Sequence, residues 1–203
     1  MQNQITASKS PPKPLETLFA DLPIDSEKLS PLARFLLLPE GAPYQLINGE
    51  LVMTPAPIPL HQLIVMELAM AMTLFVRKQQ CGHVFIAPLD VYFDDENILQ
   101  PDILFIERGR EHIIGKKMIE AAPDFIVEVL SSGTARYDLE EKYRAYEQGG
   151  VREYWIVDSD KKNIEVLVST AGRFIRRETV SGTGQARSTV LSGFSVQAAS
   201  IFP

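Results

Sequence analysis

Residues 125–130 read Phe125-Ile126-Val127-Glu128-Val129-Leu130, a run of five apolar side chains that is interrupted by one carboxylate. β-Branched and aromatic residues in a run of this length predict a strand that is buried on both faces. An isolated carboxylate in such a strand costs several kcal/mol unless it is paired or binds a metal ion. Glu128 is therefore the first candidate for a functional residue.

A second interior run carries a second acid. The segment Ile103-Leu104-Phe105-Ile106 is also predicted to be a buried strand, and Asp102 opens it directly after Pro101. Proline limits backbone pairing at that point, which is common at a strand irregularity beside a site. Asp102 is equally consistent with a plain turn aspartate. Two acids on neighbouring strands would supply the hard oxygen ligands that a divalent metal ion needs.

A lysine follows on the next predicted helix, which spans residues 139–148. Asp138 is a suitable N-cap for this helix, and Glu141 completes a capping-box-like pair. Lys142 and Tyr146 are four residues apart, so they share one helical face. Because this face carries the apolar side chains of the helix, we expect it to pack on the sheet and to bring Lys142 near Glu128.

Each of these residues also has a structural explanation. Glu128 could form an internal ion pair, for which Arg136 and Arg144 are candidate partners. Lys142 could lay its aliphatic stem on apolar surface while its ammonium group reaches water. Asp124 is predicted to start the strand of Glu128, and the four intervening steps span about 13 Å of extended chain. That distance is too long for the two carboxylates to share one metal ion easily.

The N-terminal half predicts a hairpin and a long helix. Residues 44–47 and 50–53 flank Asn48-Gly49, a pair typical of a type I′ turn. A helix is predicted over residues 59–80, with Pro59 in its first turn and Gly82 as its C-terminal stop. Since this helix is apolar on almost every side, we expect it to be central in the core.

The remaining patterns predict an α/β fold with a mixed sheet flanked by helices. A short helix is predicted to open at Ser30-Pro31. Further strands are predicted at residues 84–87, 90–93, 98–106, 154–157, 164–168 and 174–179. Residues 1–30 are polar and proline-bearing, and are interpreted as a flexible N-terminal arm. Residues 31–203 are predicted to form one domain.

Charge and cysteine content limit the functional classes. The formal net charge of −6 argues against a surface-wide field for DNA binding, so a nucleic-acid function must rest on a local site. Cys81 is the single cysteine, and the N-terminus lacks the order of a signal peptide. These features, with no apolar run of about 20 residues, lead us to expect a cytoplasmic protein without a membrane segment.

Together these residues resemble the PD-(D/E)xK nuclease superfamily and, more specifically, the Uma family of predicted restriction endonucleases. The resemblance covers about residues 44–202. Its densest part consists of Pro101-Asp102-Ile103, residues 122–131, Asp138, Lys142, Tyr146, Gly149-Gly150-Val151 and residues 153–158. A string of this length is specific for the family, whereas a bare Pro-Asp followed by a glutamate would be weak.

The resemblance implies a restriction-endonuclease-like fold and Mg²⁺-dependent cleavage of DNA phosphodiester bonds, with Mn²⁺ as a possible substitute. It implies that Asp102, Glu128 and the backbone carbonyl of Val129 hold one Mg²⁺ ion. Lys142 would orient the attacking water and offset charge in the transition state. The family often has a histidine where this chain has His61, which could therefore approach the site. A homodimer is expected only from the general frequency of dimers.

Two candidate residues on the long helix have alternative interpretations. His61 could instead be a hydrogen-bonded histidine at the start of the helix, without a role in the site. Glu67 lies among apolar residues and could point inward as a further acid or form an internal salt bridge.

The chain departs from the family pattern at two positions. The superfamily lysine normally lies two residues after the acid, where this chain has Leu130, and the resemblance implies that Lys142 takes that role. The strand before the Asn-Gly turn usually carries a glutamate, where this chain has Gln45. If that glutamate helps to bind metal, activity here would be weaker or lost. The alternative function is therefore a nuclease-fold binding or scaffold module with little or no activity.

Overall fold

The computed structural model describes residues 28–130 and 140–203. Within these ranges the chain has the predicted mixed α/β fold, with sheets flanked by helices. Almost all of the predicted N-terminal arm, residues 1–30, lies outside the described residues, and so do Asp138 and Arg136.

The elements follow one another in an order that mixes helices and strands. Numbered along the chain, they are α1 (Pro31–Leu36), β1 (Tyr44–Ile47), β2 (Glu50–Met53), α2 (Pro59–Gln79), β3 (Gly82–Ile86), β4 (Val91–Asp94), β5 (Asn97–Leu99), β6 (Ile103–Glu107), β7 (Phe125–Leu130), α3 (Lys142–Gly149), β8 (Glu153–Asp158), β9 (Asn163–Thr170), β10 (Arg173–Ser181), β11 (Gln185–Arg187) and β12 (Ser195–Gln197). Short 3₁₀ helices cover Arg108–Ile113 and Ala198–Ser200.

The largest sheet has six strands in the order β10-β9-β8-β7-β6-β3. Its strand pairs are antiparallel except β7 and β8, which are parallel and are connected through α3. A parallel pair requires such a crossover connection. Because β7 is paired along both edges, Glu128 lies in the interior of the sheet.

Both faces of this sheet are covered. One face packs against α2 and the C-terminal segment, and the buried side chains there include Ile64, Leu68, Phe105, Val127, Trp155 and Phe194. The other face packs against α3 and parts of the smaller sheet, whose order is β2-β1-β5-β4, and the buried side chains there include Ile126, Tyr146, Tyr154 and Val91. The continuous apolar run of β7 follows from this two-sided burial.

The predicted helix start at Ser30 and the predicted hairpin at Asn48-Gly49 are both confirmed. The Ser30 hydroxyl accepts a hydrogen bond from the Ala33 amide at 3.2 Å and caps α1. Strands β1 and β2 form the predicted hairpin, and Asn48 and Gly49 have φ angles of 49° and 77°. Positive φ at both positions is the requirement of a type I′ turn.

The predicted strand over residues 98–106 is wrong as a single element. The chain forms β5, leaves the smaller sheet at Gln100-Pro101, and re-enters the large sheet as β6. Proline cannot donate a ladder hydrogen bond, so the break falls where the chain changes sheets. Asp102 is therefore placed at the junction between the two sheets and not inside a strand.

Helix α2 ends earlier than predicted. Its C-cap is Gln80, with a left-handed φ of 52°, and not Gly82. Gly82 is instead the first residue of β3, where a Cβ atom would collide with the carbonyl oxygen of Ile106. The glycine is thus required for close strand approach and does not serve as a helix stop.

Helix α2 is also less central than predicted, because only one of its faces is buried. Ile64, Leu68 and Met72 have no exposed surface, whereas Met66 and Leu74 are more than half exposed. By length and composition alone α2 could cross a membrane. Its buried face forms part of the main core, and a core helix of a globular domain passes the same test.

Helix α3 spans Lys142–Gly149 with Glu141 at the N-cap position, and the predicted start at residue 139 lies outside the described residues. Glu141 makes no capping hydrogen bond with its side chain. Its carboxylate instead accepts a hydrogen bond from the Asn48 side-chain amide, which ties the start of α3 to the hairpin turn.

Candidate functional site

Asp102 directly precedes β6, and Glu128 belongs to β7, the strand beside it in the large sheet. Ile103 pairs with Val127 and Leu104 with Ile126 in this antiparallel register. Asp102, one residue before this pairing begins, contacts β7 through the Val129 amide, which donates a hydrogen bond to its carboxylate. The predicted closeness of Asp102 to the strand of Glu128 is thus observed, but the two side chains have different partners: Asp102 contacts α2, and Glu128 contacts α3.

Asp102 is held by two partners. Its Oδ2 atom accepts a hydrogen bond from the Val129 amide at 2.7 Å and lies 3.1 Å from Nε2 of His61. The Asp102 side chain is 15% exposed, so it remains accessible from the surface. His61 is buried and belongs to the first turn of α2. The predicted approach of His61 to the site is therefore observed, through contact with Asp102.

Glu128 forms a buried ion pair with Lys142. The distance from Lys142 Nζ to Glu128 Oε1 is 2.9 Å, and the two side chains are 6% and 2% exposed. The ion pair suggested by the sequence thus exists, but with a different partner. Arg144 is exposed, and Arg136 lies outside the described residues. The alternative of a solvent-facing ammonium group at Lys142 is wrong.

Tyr146 completes this cluster, and sequence reasoning assigned it no role in the site. Its hydroxyl donates to the same Oε1 atom of Glu128 that Lys142 contacts. Lys142 and Tyr146 are four residues apart on α3, so both side chains project from one face toward the same strand. The available signal was a hydroxyl-bearing aromatic residue one turn after the lysine, because a buried tyrosine hydroxyl needs a hydrogen-bond partner.

Gln45 occupies the position where the family usually has a glutamate, and it is fully engaged in hydrogen bonds. Its Oε1 accepts from the Gln100 amide at 2.7 Å, and its Nε2 donates to Thr54 Oγ1 at 3.1 Å. The Gln100 side-chain amide in turn donates a hydrogen bond to Asp90. The pKa of Asp90 is raised because burial disfavours its charged form, and this hydrogen bond offsets only part of the rise. Gln45 therefore positions the segment that leads into Asp102.

The donor set fits a magnesium ion by its chemistry. Among residues 28–130 and 140–203, no group of three or more His, Cys, Asp or Glu side chains is arranged to hold a metal ion. The predicted set, however, needs only Asp102 and Glu128, with the backbone carbonyl of Val129, and all three donors are hard oxygens. Glu67 is half-buried and forms no ion pair with the described residues, so neither predicted role of Glu67 is seen.

Two other buried carboxylates are satisfied by the surrounding protein. Asp124 is contacted by Arg110 and Arg152 at 2.9 and 3.0 Å. Glu153 accepts hydrogen bonds from the Trp155 indole and from the Thr189 backbone amide. Buried carboxylates with such complete pairing are structural, which agrees with the prediction that Asp124 stands apart from the site.

Comparisons with known proteins agree with this architecture. Residues 32–199 match the family model Uma2, described as "Putative restriction endonuclease". A crystal structure of a "putative nuclease belonging to DUF820" from Anabaena variabilis is 21% identical, covers 86% of this chain and 97% of its own, and superposes with a TM-score of 0.71. This likeness shows a shared fold. No curated protein matches the chain. Since the family model spans most of the sequence, the chain belongs to the Uma2 family of nuclease-like proteins.

Proposed function

We propose that this protein is a Mg²⁺-dependent endonuclease of the cytoplasm that cleaves DNA phosphodiester bonds, with Mn²⁺ as an alternative ion. One observation carries the proposal: Glu128 forms a buried ion pair with Lys142, and the amide of the next residue, Val129, donates a hydrogen bond to Asp102. A buried ion pair often contributes less to stability than apolar residues of the same volume would. Charged groups in such a setting are candidates for a functional site.

Asp102 and Glu128 would hold the ion, together with the backbone carbonyl of Val129. When bound, the ion would supply a Lewis acid for the scissile phosphate and lower the pKa of a bound water. The protein's own cation, Lys142, would stabilise the negative charge that develops on the phosphate oxygens and orient the attacking water. The ammonium group is held in place by Glu128, so it needs little rearrangement when charge develops.

His61 and Tyr146 are proposed as positioning residues. His61 contacts Oδ2 of Asp102, and Tyr146 donates to Oε1 of Glu128. Each partner fixes one carboxylate oxygen and thereby directs the other oxygen of that group. Preorganised ligands of this kind reduce the rearrangement needed when an ion binds.

Family membership supports a nucleic-acid substrate, and the net charge limits how it is bound. A formal net charge of −6 does not attract a polyanion to the protein as a whole, so binding should depend on local contacts near the site. The direct test is an assay of the purified chain with plasmid, single-stranded DNA and RNA in Mg²⁺ or Mn²⁺. Cleavage of DNA that EDTA abolishes is expected. Cleavage that persists without metal, or cleavage of RNA but not of DNA, would contradict the proposal.

A second candidate function is a nuclease-fold module that binds nucleic acid without cleaving it. The hydrogen bonds of Gln45 favour it, because they use this position for structure where a glutamate could bind metal. The same assay separates the two functions. Retention of a labelled DNA duplex without any cleavage in Mn²⁺ would support the binding module.

Divalent metal is expected to raise the melting temperature of the unmodified protein. An ion that binds only the native state stabilises it by about 2.7 kcal/mol at 100 times its dissociation constant. Asp102→Asn and Glu128→Gln should each abolish this shift, since each removes one anionic ligand. The measurement is a thermal unfolding series with Mg²⁺ and Mn²⁺.

The matched control for this series is Glu111→Gln, which removes a half-exposed carboxylate paired with His83. Its metal-dependent shift should equal that of the unmodified chain. If millimolar metal leaves the melting temperature of the unmodified protein unchanged, a preformed metal site is not present.

A further inference from the structure

A pocket of about 380 Å³ lies among three segments of the chain, which are residues 35–44, 88–90 and 116–118. Its size is at the lower end of the range of small-molecule sites, about 300–1,000 Å³. Apolar side chains such as Leu89 and Met118 form much of its lining. The pocket therefore has room for one small ligand with an apolar body.

Four charged side chains also line this pocket, and they favour a ligand that carries both a negative group and N–H donors. Lys116 and Lys117 are exposed, and neither forms an ion pair within residues 28–130 and 140–203. The other two are the carboxylates of Glu40 and Asp90. Unpaired ammonium groups attract phosphate, whereas carboxylates accept hydrogen bonds from amino groups.

Asp90 and Gln100 present two neighbouring acceptor oxygens at the pocket. Nε2 of Gln100 donates to Oδ1 of Asp90 at 2.8 Å, which holds the two side chains together. Oδ2 of Asp90 and Oε1 of Gln100 accept no hydrogen bond from the part of the chain that the structure describes. Two adjacent acceptors suit an exocyclic amino group, which has two N–H donors.

Tyr44 adds a buried polar group that lacks a partner. Its side chain lines the pocket and is 1% exposed, and its hydroxyl makes no hydrogen bond to any described residue. A buried tyrosine hydroxyl ordinarily has a hydrogen-bond partner. A ligand in the pocket can supply that partner.

The pocket adjoins the candidate site along the chain. Gln100 lies two residues before Asp102, which is at most about 7 Å of extended chain. The Ala87 amide donates to the Asp102 carbonyl oxygen at 3.1 Å, so the segment that leads to Asp90 is held beside the same acid. Successive nucleotides of one DNA strand are about 3.4 Å apart along the helix axis. A nucleotide close to a phosphate at Asp102 can therefore reach the pocket.

We propose that the pocket binds one nucleotide of the DNA strand, with the base in the cavity and the phosphate at Lys116 and Lys117. The base carries an amino group that donates to Asp90 and Gln100, so adenine, cytosine and guanine fit and thymine does not. The base must leave the helical stack, and the cost of doing so is least for an unpaired base. This inference rests on the proposed function, because the DNA substrate supplies the nucleotide.

The first experiment measures binding to labelled duplexes by fluorescence anisotropy in EDTA, where metal-dependent cleavage does not occur. The three probes are a duplex with one unpaired adenosine, the same duplex with one unpaired thymidine, and a fully paired duplex. The unpaired adenosine is expected to be bound at least about tenfold more tightly than either other probe. Equal binding of all three overturns the inference.

This readout separates the pocket from the proposed nuclease activity. Cleavage in Mg²⁺ by a chain that binds the three probes equally leaves the proposed function intact and overturns the pocket. Selective binding of the unpaired adenosine without cleavage in Mg²⁺ or Mn²⁺ supports the pocket and contradicts the nuclease.

The second experiment exchanges an acceptor for a donor. Asp90→Asn keeps the shape of the side chain and can still accept from Gln100, but its amide group replaces the unused oxygen. The preference should move from unpaired adenosine towards unpaired thymidine, whose carbonyl oxygens are acceptors. A purely structural role of Asp90 would weaken the binding of all probes by the same factor, which would overturn the inference.

The third experiment removes the two cations at the rim. Lys116→Ala combined with Lys117→Ala should weaken binding of the unpaired adenosine by about tenfold and reduce its advantage over the paired duplex. The matched control is Arg77→Ala combined with Lys78→Ala, two exposed cations at the end of α2, which should leave that advantage unchanged. An unchanged advantage in both double variants would overturn the inference.

Deoxyadenosine monophosphate distinguishes a nucleotide of the strand from a free one. In a calorimetric titration it should bind more weakly than the duplex with the unpaired adenosine, because it lacks the contacts of the flanking strand. Tight binding of the free nucleotide by a chain that does not discriminate among the duplexes would overturn the assignment to the DNA strand.

Discussion

Replacing Lys142 with methionine is expected to lower the rate of DNA cleavage by at least about 100-fold, the scale of losing one charge-stabilising group at a reacting centre. Methionine is a good helix former and fills the same apolar space, so α3 should form as before. The change removes the ammonium group and leaves both carboxylates in place. Binding of metal should persist or tighten, because a cation that competes for Glu128 is gone.

The same substitution should also destabilise the metal-free protein. From the sequence alone, Lys142→Met is expected to leave folding intact. The structure shows that it leaves Glu128 buried without its cation, a change that typically costs about 3–5 kcal/mol. Mg²⁺ should recover part of this loss, since the ion becomes the positive neighbour of Glu128. Chemical unfolding with and without Mg²⁺ measures both effects.

Two further variants make this prediction decisive. Lys142→Met combined with Glu128→Gln removes both charges and should be more stable than Lys142→Met alone, while remaining inactive. Arg144→Met removes an exposed cation two residues further along α3 and should leave rate and stability nearly unchanged. If folded Lys142→Met cleaves at the rate of an active unmodified protein, Lys142 has no catalytic role.

Local sequence signals predicted much of the fold because they act over a few residues. The Asn48-Gly49 turn requires positive φ, which few residue pairs tolerate. The ends of both hairpin strands could therefore be predicted to within one residue. The apolar run of β7 could be identified because burial on both faces leaves few polar positions. Glu128 stood out for the same reason. The helical periodicity of α3 placed Lys142 on the face that packs on the sheet, but the ion pair of Glu128 was expected with Arg136 or Arg144 and is formed with Lys142.

Features that depend on distant parts of the chain could not be predicted. The buried face and the exposed face of α2 both carry apolar side chains, so periodicity could not show which face packs on the sheet. The division of residues 98–106 between two sheets depends on which strands lie beside β5 and β6. The contact between His61 and Asp102 joins residues 41 positions apart, and only the packing of α2 on the sheet defines it.

Asp124→Asn is expected to produce the largest loss of stability outside the site. This carboxylate is completely buried and accepts hydrogen bonds from Arg110, Arg152 and the Glu107 amide. Burial would lower the pKa of Arg152, but its hydrogen bonds to Glu107 and Asp124 raise it. The network connects the end of β6 with the starts of β7 and β8.

An asparagine side chain has the same shape but only one acceptor oxygen, so its amide group would face at least one of these donors. The lost charge and the unsatisfied donor together should cost about 3–5 kcal/mol. For a chain of this length that corresponds to a fall in melting temperature of roughly 6–20 °C. Glu111→Gln, at an exposed pair with His83, should cost less than about 1 kcal/mol. Below its melting temperature, Asp124→Asn should cleave DNA at the unmodified rate, because Asp124 contacts neither Asp102 nor Glu128. Normal stability with lost cleavage would instead place Asp124 in the site.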